Sequence, residues 1–339
     1  MTRTLRLLSI PLKEPFPTAN GVVSAREMAL LELEDGDGVV GYGEAAPLEH
    51  YDGVSIDEVV EALKGGDGDG PPQARAAEEM ALLDLEGRRS GRALGEPGAD
   101  AIPVNRTLPA GPPDEVAAHA VEGVREGFSC FKIKTGLPDD RLRVGAVRAA
   151  IGPWPALRID ANGSWSVEEA VAAIESLAEF DLQLVEQPCA TLEELAEVRR
   201  RVAVPIAADE SVRTPEDVRT AAVLEACDVV NVKLASSGGF SAAREALREA
   251  RRRGLASYLS STLDGPWGIA AALQLASSEE VLLACGLATL ELFDSPLAAA
   301  LPPPRDGLLA VPQGPGLGIS VDQEALASAV VDELPSRAS

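Results

Sequence analysis

Phe131-Lys132-Ile133-Lys134, Leu157-Arg158-Ile159-Asp160, Leu182-Gln183-Leu184-Val185-Glu186, Ile206-Ala207-Ala208-Asp209 and Val230-Asn231-Val232-Lys233 are five short apolar runs, each ending on a charged residue. The charged ends are spaced by 26, 26, 23 and 24 positions. Each interval also holds a helix-length segment, such as Ser166 to Ala178 or Leu192 to Arg201. One strand plus its crossover helix needs about that length, so the pattern predicts repeated βα units and a parallel sheet. Eight such units close into a (β/α)8 barrel. Active sites of such barrels are built at the C-terminal ends of the strands, where Lys134, Asp160, Glu186, Asp209 and Lys233 fall. Three carboxylates converging there suit a hard divalent cation such as Mg2+, and a nearby lysine suits proton abstraction.

Working outward, Ile102-Pro103-Val104-Asn105 reads as the first barrel strand, followed by a helix over 114–126 capped by Asp114. The seventh strand is Ser257 to Ser261 and the eighth Val281-Leu282-Leu283-Ala284-Cys285. Before the barrel, residues 3–10 alternate as a strand and Lys13 to Arg26, with two prolines, Asn20 and Gly21, reads as a loop. Met28 to Glu34 and Val39 to Gly43 flank an Asp-Gly-Asp-Gly turn, and helices follow over 55–63 and 73–90. After Gly286 the βα rhythm is lost in a proline- and glycine-rich tail. The expected organisation is an α+β capping domain over 1–100, the barrel over 101–286, and a segment over 287–339 that returns to the cap.

A net charge of −24 argues against nucleic-acid or anionic-membrane partners, and no apolar run is long enough to span a bilayer. The N-terminus lacks a signal-peptide pattern, so a cytoplasmic protein is expected. Four cysteines without close-pair spacing (130, 189, 227 and 285) read as buried free thiols. His50 and His119 lie apart and off the charged strand ends, which argues against a Ser/His/Asp triad.

Lys132-Ile133-Lys134-Thr135-Gly136, Asp160-Ala161-Asn162-Gly163-Ser164-Trp165, Glu186-Gln187-Pro188, Ala208-Asp209-Glu210-Ser211, Asn231-Val232-Lys233 and Ser260-Ser261 occur in this order at barrel spacing. With the helical stretch Arg75 to Gly87, these pieces resemble the enolase superfamily in its muconate-lactonising subgroup, and within it the o-succinylbenzoate synthases. The resemblance covers nearly the whole chain. It implies that Asp160, Glu186 and Asp209 bind Mg2+, with Mn2+ as a substitute, and that Lys134 is the general base. Strand alternation puts Lys132 on the same inward face, where it would meet the substrate carboxylate. Lys233 would stabilise the enediolate. Asn162 and Glu210 would support the metal ligands, and Ser260 and Ser261 would bind a substrate carboxylate. Gly238 could let the backbone approach the substrate, or could simply start a helix. The family more often has Ser or Thr where Gly265 stands, so no substrate contact is carried over to Gly265 or Pro266.

The implied reaction is Mg-dependent loss of water from 2-succinyl-6-hydroxy-2,4-cyclohexadiene-1-carboxylate, a small-molecule carboxylate, in menaquinone biosynthesis. The rival on the same residues is an N-acylamino-acid racemase or dipeptide epimerase. A rival of another class is a non-catalytic metal- or anion-binding barrel. The sequence leaves the oligomeric state open.

Overall fold

The computed structural model describes residues 1–18, 21–66, 68–96, 98–279, 281 and 283–335. Two sheets carry the architecture. The first has the order β13-β1-β2-β3, all antiparallel, with β1 at Thr2–Thr18, β2 at Gly21–Glu34, β3 at Val40–Ala45 and β13 at Val330–Pro335. The turn between β2 and β3 is held by Asp35, whose Oδ1 accepts the N–H groups of Asp37 and Val39 at 2.8 and 3.0 Å. Helix Pro72–Ser90 packs on β3 so closely that a Cβ at Gly43 would stand 1.9 Å from the Ala77 carbonyl oxygen. Glycine at that position is what permits the contact.

Lys13 to Arg26 is therefore not the expected loop. Its described residues extend β1 and β2 into one long hairpin, with a register shift between Pro11 and Phe16. Prolines fit there because β13 pairs only Thr4 to Leu8 of β1 and, past a single bridge from Leu12 to Phe293, no described strand pairs that side. Ala19 and Asn20 lie outside the described residues.

The second sheet is parallel throughout, in the order β11-β10-β9-β8-β7-β6-β5. Its strands are β5 Arg106–Leu108, β6 Cys130–Lys134, β7 Ala156–Asp160, β8 Leu184–Glu186, β9 Ile206–Ala208, β10 Val229–Val232 and β11 Ala256–Leu259. Three crossover helices open on capping boxes, Ser166 with Glu169, Thr191 with Glu194, and Thr214 with Asp217. These caps satisfy the first orphan N–H groups and fix where each helix leaves its loop. The apolar side chains Phe131, Ile133, Leu157, Ile159, Val185, Ile206, Val230 and Leu259 are fully buried.

The ring does not close through an eighth strand as expected. Cys285 donates its N–H to the Pro103 carbonyl and accepts from Asn105, at 2.8 and 3.0 Å. Gly286 donates to Leu259 and accepts from Ser261, at 2.8 and 3.1 Å. Two residues thus join the open edges of the sheet; Leu282 lies outside the described residues. The first strand also differs. Ala101–Pro103, here β4, pairs antiparallel with β12, Leu308–Ala310, and the barrel strand proper starts at Arg106. Asp114 sits in the first turn of helix Pro113–Arg125 and makes no cap; Pro112 holds that position. No helix among the described residues is long and apolar enough to cross a membrane.

Candidate active site

Register decides which charges meet. Lys134 pairs with Asp160 and Asp160 with Glu186 across three adjacent strand tips. Asp209 and Lys233 each stand one residue past the ends of β9 and β10. Lys132 and Lys134 share one face of β6, as alternation requires. Lys132 Nζ bridges Asp160 Oδ2 at 2.8 Å and Glu186 Oε1 at 2.7 Å. Lys134 Nζ donates to Asp160 Oδ2 at 2.6 Å and to Asn162 Oδ1 at 2.8 Å. Lys233 Nζ donates to Asp209 Oδ1. Lys132, Lys134, Asp160, Asn162, Asp209, Lys233, Ser260 and Ser261 all line one cavity. Glu186 lies beneath them, fully buried, and takes further bonds from Tyr258 Oη at 2.7 Å and Asn231 Nδ2 at 3.1 Å.

Backbone geometry sharpens the arrangement. Asn162 and Gln187, just past two strand tips, have φ of 46° and 38°, an uncommon region for side chains of this kind. Asn162 N–H donates to Asp160 Oδ1 at 2.9 Å. The Gln187 amide oxygen accepts the Asp209 N–H at 2.7 Å. The first turn thus fixes the direction of the Asp160 carboxylate and the second holds the backbone that carries Asp209.

The electrostatics follow from burial and pairing. Burial works to raise the Asp160 carboxyl, but Lys132 and Lys134 overcome it and hold it below the usual carboxylate range. At Asp209 burial is likewise outweighed by Lys233, and the net shift is downward. Glu186 moves up, first through burial and then through the Asp160 charge. Glu210 is pushed to about 8 by burial and then by Asp209 and Asp160. It is held by Asn162 Nδ2 at 2.8 Å and keeps one buried oxygen without a hydrogen bond.

The donor set has the chemistry a hard cation takes: acceptor-only carboxylate oxygens of Asp160, Glu186 and Asp209 at neighbouring strand tips. As placed, lysine ammonium groups stand between the acids. Among the described residues no three acidic, histidine or cysteine side chains are gathered closely enough to hold an ion. Gly238 is away from the cavity, in the left-handed conformation after helix Leu234–Ser237, with the Arg75 guanidinium 3.2 Å from where a Cβ would be.

Several lining residues were not foreseen. Tyr51, from the short helix Glu49–Asp52, donates to Asp209 Oδ2 at 2.9 Å and accepts from Lys233. Val23, Leu48 and His50 join it from the N-terminal part, and Asn105, Thr107 and Thr289 line the same cavity. Ser261 and Thr289 hydroxyls lie 2.9 Å apart, and Ser260 donates to Asn231 Oδ1 at 2.8 Å. Within the barrel, buried Arg158 donates to Gln183 Oε1 at 2.6 Å and to the Ala284 carbonyl at 2.7 Å. Only its place two residues before Asp160, hence on the inward face, signals this in the sequence. All four cysteines are buried and free, as expected.

Fold and mouth together define a barrel enzyme whose strand tips hold acids and lysines. Residues 115–325 match the family described as Enolase C-terminal domain-like, and the chain belongs to it, within the enolase superfamily and its muconate-lactonising subgroup. An o-succinylbenzoate synthase of Thermobifida fusca is 42% identical over 242 residues, covering 70% of this chain and 73% of its own length. One from Mycobacterium tuberculosis is 45% identical over 222 residues, covering 62% of this chain and 64% of its own. A hydrophobic dipeptide epimerase of Enterococcus faecalis is 32% identical, covering 93% of this chain and 98% of its own. A dipeptide epimerase from that organism, solved with Mg and the dipeptide L-Leu-L-Tyr, superposes with a TM-score of 0.86 at 30% identity, covering 94% of this chain and 99% of that one. The family is enzymatic, so the non-catalytic barrel is set aside.

Proposed function

We propose that this enzyme is an o-succinylbenzoate synthase that dehydrates 2-succinyl-6-hydroxy-2,4-cyclohexadiene-1-carboxylate to 2-succinylbenzoate in menaquinone biosynthesis. The observation that carries this reading is one cavity lined by Lys132, Lys134 and Lys233 together with the neutral polar groups Asn105, Thr107, Ser260, Ser261 and Thr289. The two synthases at 42% and 45% identity support it. Lys134 takes the proton alpha to the ring carboxylate. The electron pair left behind forms the new ring double bond as the β C–O bond breaks, and Lys134 returns its proton to the departing hydroxyl, giving water. Lys233 and Lys132 supply positive charge near the carboxylate while that pair is in motion. Asp160, Glu186 and Asp209 would hold Mg2+, which when bound supplies Lewis-acid stabilisation of charge on the substrate carboxylate. Ser261 and Thr289 would bind the succinyl arm.

A second reading is favoured by the epimerase likeness, which spans 93% of this chain: proton exchange at an alpha carbon by Lys134 and Lys233. A dipeptide brings an ammonium group that needs an anionic partner. Among the described lining residues the carboxylates are Asp160 and Asp209, both already taken up in the lysine cluster. An N-acyl amino acid, which has no such cation, is therefore the better second substrate. We also propose the division into a cap over 1–100, a barrel over 101–286 and a returning segment over 287–339.

The test is an elimination assay with and without EDTA, beside incubation of N-acyl amino acids in D2O. Rapid Mg-dependent formation of the aromatic product is expected. Alpha-deuteration with inversion and no aromatic product would replace this reading with the racemase.

A further inference from the structure

Tyr51 reaches the charged strand tips from outside the barrel. It sits on the four-residue helix Glu49–Asp52, which is anchored by buried Asp52. Asp52 accepts the Leu48 N–H at 3.0 Å, the Val54 N–H at 2.9 Å and the Gln73 side-chain amide at 2.8 Å. Gln73 belongs to helix Pro72–Ser90, which packs on the N-terminal sheet. The position of Tyr51 is therefore set by the N-terminal part of the chain.

Its hydroxyl makes two contacts in the mouth. It donates to Asp209 Oδ2 at 2.9 Å and accepts from Lys233 Nζ, which also donates to Asp209 Oδ1. Both oxygens of Asp209 are thus gripped, and the plane of the carboxylate is fixed. Lys233 Nζ lies 4.7 Å from the Tyr51 ring centroid, so the ring face and the hydroxyl together place the ammonium group.

We propose that Tyr51 is a positioning residue of this active site: brought in by the N-terminal unit, its hydroxyl sets the plane of Asp209 and the place of Lys233. The inference rests on the reading of Asp209 as a metal ligand and Lys233 as a participant. Groups that orient metal ligands in this way change metal affinity by about 10- to 100-fold when removed. Tyr51→Phe keeps the ring over Lys233 and removes only the hydroxyl.

The test is a calorimetric titration of Mg2+ alone into the full-length wild type and Tyr51→Phe, with melting curves and steady-state kinetics of the elimination. Mg2+ binding to the variant is expected to weaken about tenfold, at the lower end of that range, with an unchanged melting temperature. kcat is expected to fall with KM nearly unchanged, because the hydroxyl acts on Asp209 and Lys233. Equal Mg2+ affinity and equal kcat in the two proteins overturn the inference. If the wild type itself binds no Mg2+, the metal reading fails; a kcat loss in Tyr51→Phe then still supports its hold on Lys233, and no loss overturns that too.

Discussion

Two buried clusters of mixed charge lie close together in this chain, and the two aspartates of one are shifted in the opposite direction from the acids of the other, although Glu186 and Glu210 in the mouth are raised as well. In the mouth, Asp160 and Asp209 have lysine partners that overcome burial and hold them below the usual carboxylate range. Behind Leu263, Glu44 is raised to about 8 by burial and then by Asp264, and Asp264 is raised to about 6 by burial. The cation beside them, Arg26, is used elsewhere: its guanidinium donates to the carbonyls of Leu263, Pro47 and Ala46 at 3.3, 2.8 and 2.9 Å. Glu44 itself accepts the Gly265 N–H at 2.7 Å, at the start of helix Pro266–Ser278. A Cβ at Gly265 would stand 2.6 Å from Glu44 Oε2, so glycine is what permits this close approach. The mouth keeps its charges available for chemistry. The cluster behind it uses Glu44, held largely protonated by burial, as a hydrogen-bonding piece that fastens the N-terminal sheet to the barrel.

The contrast breaks most sharply if metal removal leaves turnover intact. EDTA is expected to reduce elimination to background, with full recovery on adding Mg2+, read by formation of the aromatic product. Lys134→Ala is expected to lower kcat by about 10³- to 10⁴-fold, as for loss of a general base, with Mg2+ affinity largely kept. A kcat within tenfold of wild type would take the base role from Lys134. For the second cluster the readout is stability. Glu44 has a pKa near 8 in the fold against 4.5 for the free group, so between those values the folded state holds a proton that the unfolded chain has released. Its contribution is therefore full below pH 4.5 and is lost as pH rises towards 8. Glu44→Gln is expected to flatten a fall in stability of roughly a few kcal/mol across that window, measured by denaturant unfolding. Asp160 and Asp209 act in the reverse sense, since their support is lost as pH falls below the ordinary carboxylate range. The smallest effect is expected for Ser261→Ala, a rise in KM of about two- to tenfold from loss of one hydrogen bond, with kcat little changed.

The site was more legible than the frame around it. Alternation and spacing carry Lys132, Lys134, Asp160, Asp209 and Lys233 to one cavity because a parallel strand exposes its tip at a fixed place in each βα unit. Glu186 reads as a strand end and is one, but its complete burial under Lys132 depends on packing that no spacing reveals. The strands that the described residues of 13–26 form are hidden in the sequence by prolines, which are compatible with a strand where a side goes unpaired. Val281 to Cys285 has a strand's composition, yet Cys285 and Gly286 make bridges and no ladder. Tyr51 had no signal, since its contacts span 158 and 182 positions of sequence.

The two-residue join at Cys285 and Gly286 bears on how the molecule opens. Four hydrogen bonds there, two to each edge, stand where five residue pairs join β6 to β7 and four join β10 to β11, and separation is easier where fewer bonds must part together. Amide exchange should therefore be faster along that seam of the ring than between β6 and β7. Ser261 is bonded to Gly286 and faces Thr289, so a brief parting there would widen the wall assigned to the succinyl arm and leave the lysine cluster undisturbed. The seam would give the barrel a breathing line on the side proposed for the succinyl arm.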